Sequence, residues 1–419
     1  MPRLYSYYGN NRLQEQTNAR TIYNNNINGK RLINNPQTSN YNSSNFNMYH
    51  SGSQTTYQKG IGSDLTGQRY VVSVGGIVNI PVQPELICIR YIAIGVTFTT
   101  NAELERLRGC TVIYGNLILK NFIEPDFSIF NCLTTINGIL EISNCQITTL
   151  QFPALTTTTN RLAIYGNILT SIQFPALTTT YDFYIDSNIQ LSTIIFPVLT
   201  TTTSFTIYGN LTLSTITFPA LTTTSFLISF NALLTSITIP ALTTTASFII
   251  YRNTQLSTIT IPALTTTTGL FYIGSNTQLT SITFPVLTTT TSFSIYGNEL
   301  LLSIAFPVLT TTTSFSIYDN RLLTSINFPV LRTTTNISIY NNTTLTSIDL
   351  PALDTTDNIS INLNAQLIKI SGFLYIRSCG NISIINNNAS TNTCKDTYDK
   401  LYLAKGTNNF TVQGTHNPC

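Results

Sequence analysis

Few side chains in this 419-residue sequence are equipped for chemistry, and their spacing says most by what it leaves out. The soft metal ligands are two histidines, His50 and His416, and seven cysteines: Cys88, Cys110, Cys132, Cys145, Cys379, Cys394 and Cys419. No CxxC pair occurs, whereas a structural zinc site gathers four such ligands at short spacings, so no metal site is expected. Residues 151–350 contain no histidine, which excludes a Ser/His/Asp relay from that stretch. The charged residues there are Arg161, Asp182, Asp186, Arg252, Glu299, Asp319, Arg321, Arg332 and Asp349. Enzymes that cleave polysaccharides need clustered carboxylates for acid–base transfer. Here the charges are scattered; Asp182 and Asp186 share a strand face but read as two solvated positions rather than a catalytic pair. No catalytic residue and no cofactor is expected, and the sequence is read as non-enzymatic.

Two neutral patterns remain. Tyr165, Tyr208, Tyr251, Tyr296, Tyr318 and Tyr340, flanked by serine, form a row expected to point outward. Such a row either stacks on sugar rings, presents a flat protein-binding face, or simply packs ring on ring. Threonine runs at 156–159, 200–203, 265–268, 288–291 and 310–313 form a hydroxyl lattice. Its plain reading is a β-branched strand with a solvated face; ice binding is a minor alternative.

What must position these residues is a repeat. A proline preceded by Phe, Ile or Leu recurs at Pro153, Pro175, Pro197, Pro219, Pro240, Pro262, Pro285, Pro307, Pro329 and Pro351, at spacings of 21 to 23 residues. A second ladder runs through Asn167, Asn188, Asn210, Asn231, Asn253, Asn276, Asn298, Asn320, Asn342 and Asn364, extends to Asn387, and continues backwards to Cys145 and Phe122. One unit, residues 284–305, reads FPVLTTTTSFSIYGNELLLSIA. Its SFSIYGN alternates, placing Phe293 and Ile295 inward and Ser294 and Tyr296 outward. LLSIAFP is a second short strand with Ile304 and Phe306 inward. Proline cannot donate to a sheet ladder, so ten in register mark a corner, filled by the leucine two residues on. The threonine run predicts a third, shorter strand. Asparagine after the first strand suits a turn and can form an internal amide ladder. One coil cannot offset the entropy of ordering its 22 residues, so stacking and end caps are required. The fold expected is an all-β, right-handed parallel β-solenoid of about thirteen 22-residue coils, on the order of 60 Å long at ~4.8 Å per coil.

Residues 88–122, CIRYIAIGVTFTTNAELERLRGCTVIYGNLILKNF, resemble the opening of receptor L-domains, the leucine-rich β-solenoids of receptor ectodomains and fungal wall proteins. The counterparts are Cys88, a helix over 102–108, Cys110 and a strand over 112–119. The resemblance implies a Cys88–Cys110 disulfide closing the first coil. The LTSITFP and FSIYGN units are similar to the fungal wall branch, and LTSITIP to BspA-like surface repeats. At the far end Cys379 and Cys394 could close the last coil.

Composition sets the remaining expectations. Only 9% of residues are charged, against roughly 25% in ordinary globular domains. Residues 1–70 carry seven Lys/Arg against Glu15 and Asp64, and the rest is nearly neutral. The divisions read are a low-complexity Asn/Tyr/Ser-rich arm at 1–80, expected to be disordered or ordered by a partner, an N-terminal cap with a short helix at 81–121, solenoid repeats at 122–390 and a C-terminal cap at 391–419. Strands are expected at 67–82, covering the first coil. Neither a secretory leader nor a lipid-anchor tail is read, and no apolar run has transmembrane length. The partners expected are structural proteins of an assembly, reached through the arm, with surface glycans or a host receptor as further candidates. Nucleic acid and a membrane span are not expected. These features point to a structural surface component, such as one on the virion of a large DNA virus; the alternative is an extracellular or cell-surface adhesion or wall protein.

Overall fold

The computed structural model describes residues 60–63, 69–73, 76–78, 91–373, 375–405 and 408–418, with side chains from Thr97 onward apart from Thr223 and Ser378. Most of the expected arm at 1–80 lies outside the described residues. Within it, the segments Gly60–Ser63, Arg69–Ser73 and Gly76–Val78 form a small antiparallel sheet, so strands do form in 67–82. These belong to one unit, residues 1–82; the solenoid is a second unit, residues 83–419.

The second unit is a parallel β-solenoid. Its long strands, such as Thr201–Tyr208, Thr289–Tyr296 and Thr311–Tyr318, pair in chain order into a 16-stranded sheet running from Tyr91–Phe98 to Phe410–Val412. Three-residue strands such as Thr215–Thr217, Ser236–Thr238 and Thr258–Thr260 build the second wall, again in parallel register. The alternation dictates the core: Phe293, Ile295, Ile304 and Phe306 are buried as expected, and so is the leucine after each corner proline, from Leu155 to Leu353. A continuous apolar cluster extends from Phe98 to Leu401. Phenylalanines stack coil on coil within it, as in Phe293 on Phe315 at 5.1 Å and 5°.

The asparagines form the second internal ladder. Asn210 donates from its backbone N and its Nδ2 to Asn231 Oδ1 at 3.1 and 3.4 Å, and Nδ2 also donates to Ile185 O at 3.1 Å. The pattern recurs from Asn167 to Asn387, with the ladder asparagines buried through Asn364. Each is preceded by a residue of positive φ, from Asn144 and Gly166 to Leu363 and Asn386, because the chain must turn sharply to aim the amide inward. Cys145 holds the ladder position one coil earlier, its N–H donating to Asn167 Oδ1 and its thiol to carbonyls of Leu119 and Ser143.

The threonine run departs from expectation. It is not a third strand but the first half of the long strand, joined through a register irregularity such as that between Thr201 and Ser204. The hydroxyls explain this. The first threonine bonds the carbonyl of its counterpart one coil back, as in Thr200 Oγ1 to Thr178 O at 3.1 Å. The third turns inward and bonds a carbonyl left over at the irregularity, as in Thr202 Oγ1 to Ser204 O at 2.7 Å. Two of every four hydroxyls thus serve the fold: the first adds a second donor to a carbonyl that already accepts a backbone N–H, as at Thr178 O, and the third supplies a donor at the irregularity.

Both ends are capped. The helix Asn101–Leu104 carries a capping box between Thr100 and Glu103 and continues as a 3₁₀ turn over Glu105–Leu107, close to the helix expected at 102–108. At the other end the helix Lys395–Ala404 and strand Phe410–Val412 close the stack. The expected Cys379–Cys394 pair is corrected. Cys379 is a buried free thiol, so it does not pair with Cys394, which is disulfide-bonded elsewhere. Cys379 occupies the inward threonine position of its coil, paired in register with Thr356 and directed into the core, so it acts as a small apolar filler. Cys88, of the expected Cys88–Cys110 pair, lies outside the described residues.

Candidate binding face

The outward positions of the long sheet hold the aromatic row. Pairing aligns Tyr165, Asp186, Tyr208, Ser229, Tyr251, Gly274, Tyr296, Tyr318 and Tyr340 in one column. The six tyrosines expected outward therefore do share a column, interrupted by Asp186, Ser229 and Gly274. Aromatic residues just outside the column sit at the interruptions. Tyr184 and Tyr272 stand two residues before Asp186 and Gly274, and Phe230 directly follows Ser229. The sequence signal for these three was the interruption itself: where the column lacks a ring, a near neighbour supplies one.

The ridge has two characters. From Tyr296 to Tyr340 the rings lie flat on one another, Tyr296–Tyr318 at 4.8 Å and 11°, Tyr318–Tyr340 at 4.6 Å and 9°. Their faces are covered by each other, leaving edges and hydroxyls to solvent, so a sugar ring cannot stack between them. From Tyr208 to Tyr272 the rings are tilted or edge-on: Tyr208–Phe230 at 5.1 Å, Phe230–Tyr251 at 5.7 Å, Tyr251–Tyr272 at 5.8 Å. Tyr272 and Tyr296 also join through their hydroxyls. A Cβ at Gly274 would collide with the Tyr296 ring, so that glycine makes room for the crossing. Half-burial against neighbouring rings pushes the Tyr184, Tyr272, Tyr296 and Tyr318 phenols up, and Tyr340 up to about 12, because desolvation penalises the phenolate.

Arg252 completes the tilted segment. It is exposed, and its guanidinium lies 5.4 Å from the Phe230 ring centre and 5.1 Å from that of Tyr251. Both Phe230 (φ 59°) and Arg252 (φ 53°) occupy the left-handed turn position that other coils give to Gly166, Gly209, Gly297, Asn341 or Asp319. A bulky residue there costs about 1 kcal/mol relative to glycine. Arg252 makes no ion pair among the described residues.

The carboxylates near the ridge already have partners. Asp182 pairs with Arg161 at 2.6 Å, Asp186 accepts from Tyr184 Oη at 2.6 Å and from Ser187 Oγ at 2.7 Å, and Glu141 accepts from Tyr165 Oη at 2.5 Å. Asp182 and Asp186 are thus held by different neighbours rather than as a shared pair. A shallow groove of about 660 Å³ follows the threonine irregularity, lined by Thr158, Thr180, Thr202, Thr245, Tyr181 and neighbouring threonines, with Ser225 and Ala246. Its lining offers hydroxyls and methyls but no carboxylate, imidazole or thiol.

No family model and no curated protein matches the sequence. Among solved structures it is similar to the functional domain of InlJ from Listeria monocytogenes, a domain described as including a cysteine ladder. The identity is 17% and the TM-score 0.20; the match covers 68% of this chain and 66% of that one, just under two thirds of its length.

Proposed function

We propose that this protein is a non-enzymatic structural component, a stiff repeat solenoid that presents a surface as part of a larger assembly. The observation that carries the reading is the use of side chains. Asparagine amides, half of each threonine run, the stacked tyrosines and the ridge carboxylates all bond within the protein, which stiffens the stack and leaves little to perform a reaction. The opening coil's resemblance to receptor L-domains supports a surface role. For the setting we propose the surface of a large DNA virus particle, with residues 1–80 contacting other structural proteins. The low charge, the basic Asn/Tyr-rich arm and the Asn/Ile/Tyr bias support that setting. The test is mass spectrometry of the protein from its native source. An intact amino terminus in a particle rich in capsid protein is expected; a trimmed, glycosylated chain in secreted material would overturn the setting.

One observation favours a second reading, a surface adhesion protein. Phe230 and Arg252 hold adjacent coils in a conformation that smaller residues adopt at less cost, and together they expose a guanidinium on an aromatic bed. Strain retained at an exposed cluster points to binding, here of an acidic glycan or protein. Titration with polygalacturonate and with neutral amylose decides it: binding of the former alone, lost in Arg252→Gly, is the expected result.

A further inference from the structure

The wall opposite the aromatic ridge is built differently. In nine consecutive coils, the segment from the short strand through the corner proline to the following leucine carries no charged residue, from Thr149–Leu155 to Ser325–Leu331. The outward positions of the short strands form two columns. One is Ser or Thr throughout, including Thr215, Ser236, Thr258 and Ser281; the other includes Ile195, Thr217, Thr238, Thr260 and Thr283. The hydroxyls of Thr215, Thr217, Ser236, Thr238, Thr260, Ser281 and Thr283 make no hydrogen bond among the described residues, unlike the first and third hydroxyls of the threonine runs, such as Thr200 and Thr202. Beside them the nine prolines from Pro153 to Pro329 are exposed, as are Val198, Val286, Val308 and Val330 at 37–39%.

We propose that this charge-free wall is where a second copy of the chain packs, side by side. Three physical features select that occupant. First, most of these hydroxyls have no partner among the described residues, Thr193 and Thr258 meeting only the adjacent serine, and a hydroxyl both donates and accepts, so a column of them complements itself. Second, the columns repeat at the coil spacing, and another copy is a partner that keeps the same spacing over the whole length, as an isologous two-fold contact requires. Third, juxtaposing like surfaces brings like charges together, and here there are none to repel; interface cores are depleted of charge for the same reason. The size also fits. Nine coils at ~4.8 Å by roughly 17 Å of strand and corner give about 700 Å² per partner, near the ~800 Å² of a standard stable interface. The inference deepens the structural-component reading and rests on it: a rod that pairs through one wall leaves its ridge facing outward.

The test is sedimentation of the full chain under reducing conditions, so that no intermolecular disulfide contributes. A dimer at micromolar concentration is expected. Thr238→Lys with Thr260→Lys, both on the charge-free wall, is expected to weaken it at least 100-fold with an unchanged melting temperature. Ser316→Lys, on the long-sheet face, is expected to leave the dimer intact. A monomeric wild type, or a dimer indifferent to the paired lysines, overturns the proposal. So does a monomer that instead slows ice growth or pellets with chitin, since the wall would then take a different occupant. These results concern the isolated protein, so failure here is distinguishable from failure to find it in a native assembly.

Discussion

The two walls of the solenoid share one backbone repeat and spend their outward positions in opposite ways. The long-sheet wall binds itself: tyrosines stack, carboxylates pair, and an arginine lies on two rings. The short-sheet wall leaves most of its hydroxyls, such as those of Thr217, Thr238 and Thr260, without a partner among the described residues, and its prolines exposed. Most charges of residues 151–331 sit on the first wall or in the turn beside it, and none sits on the second. A regular fold therefore does not imply a uniform surface. Outward residues are freed from packing, and each wall shows whether they contribute to the chain's own stability or are left for a partner.

The largest effect is expected at the seam from which both walls hang. Asn253→Ala removes the acceptor of two buried Asn231 donors and the donor to Ile228 O. Asn231 Nδ2 keeps Ile207 O and Ser229 O, so the groups left short are Asn231 N and Ile228 O; at about 1–3 kcal/mol each, a loss of about 2–5 kcal/mol is expected in urea denaturation. The next prediction separates the walls. Tyr318→Ala loses a stacked ring on each side and is expected to cost about 1–3 kcal/mol, whereas Thr260→Ala should stay within about 0.5 kcal/mol. Equal costs would erase the distinction drawn between them.

The aromatic wall should also make the protein sensitive to alkali. An unfolded tyrosine ionises near pH ~10, while burial raises Tyr340 to about 12 and pushes Tyr318, Tyr296 and Tyr272 up as well. Cys379, raised to about 12 by burial, acts in the same direction. The unfolded state then loses protons that the native state keeps, so this stability is fully present below the unfolded values and falls as pH rises toward the folded ones. Phenolate absorbance should show ridge tyrosines ionising only above pH ~10 in the native protein. Mutation of Tyr318, Tyr296 and Tyr340 together to phenylalanine should reduce the loss.

The smallest effects test the strained turn. Leu363, at φ 56° and 53% exposed, follows Asn362, which holds the column position in place of a ring, so Leu363→Gly should gain about 1 kcal/mol. Phe230→Gly relieves the same strain but forfeits contacts with Tyr208, Tyr251 and Arg252, so its gain should be smaller or absent. Equal gains would mean that the ring packing at Phe230 contributes nothing.

Much of this architecture was legible in residue order. The proline and asparagine ladders set the coil length, because a residue that cannot donate marks a corner and one that bonds its neighbours marks a turn. Alternation set which side chains are inside, since a strand can only place successive residues on opposite faces. The tertiary structure decided what depends on the neighbouring coil: the merging of the threonine run into the long strand, the rings of Tyr184, Phe230 and Tyr272 that join an interrupted column, and the failure of Cys379 to meet Cys394. A single coil specifies direction and burial by itself. Contacts between coils depend on register, and register exists only once the coils have stacked.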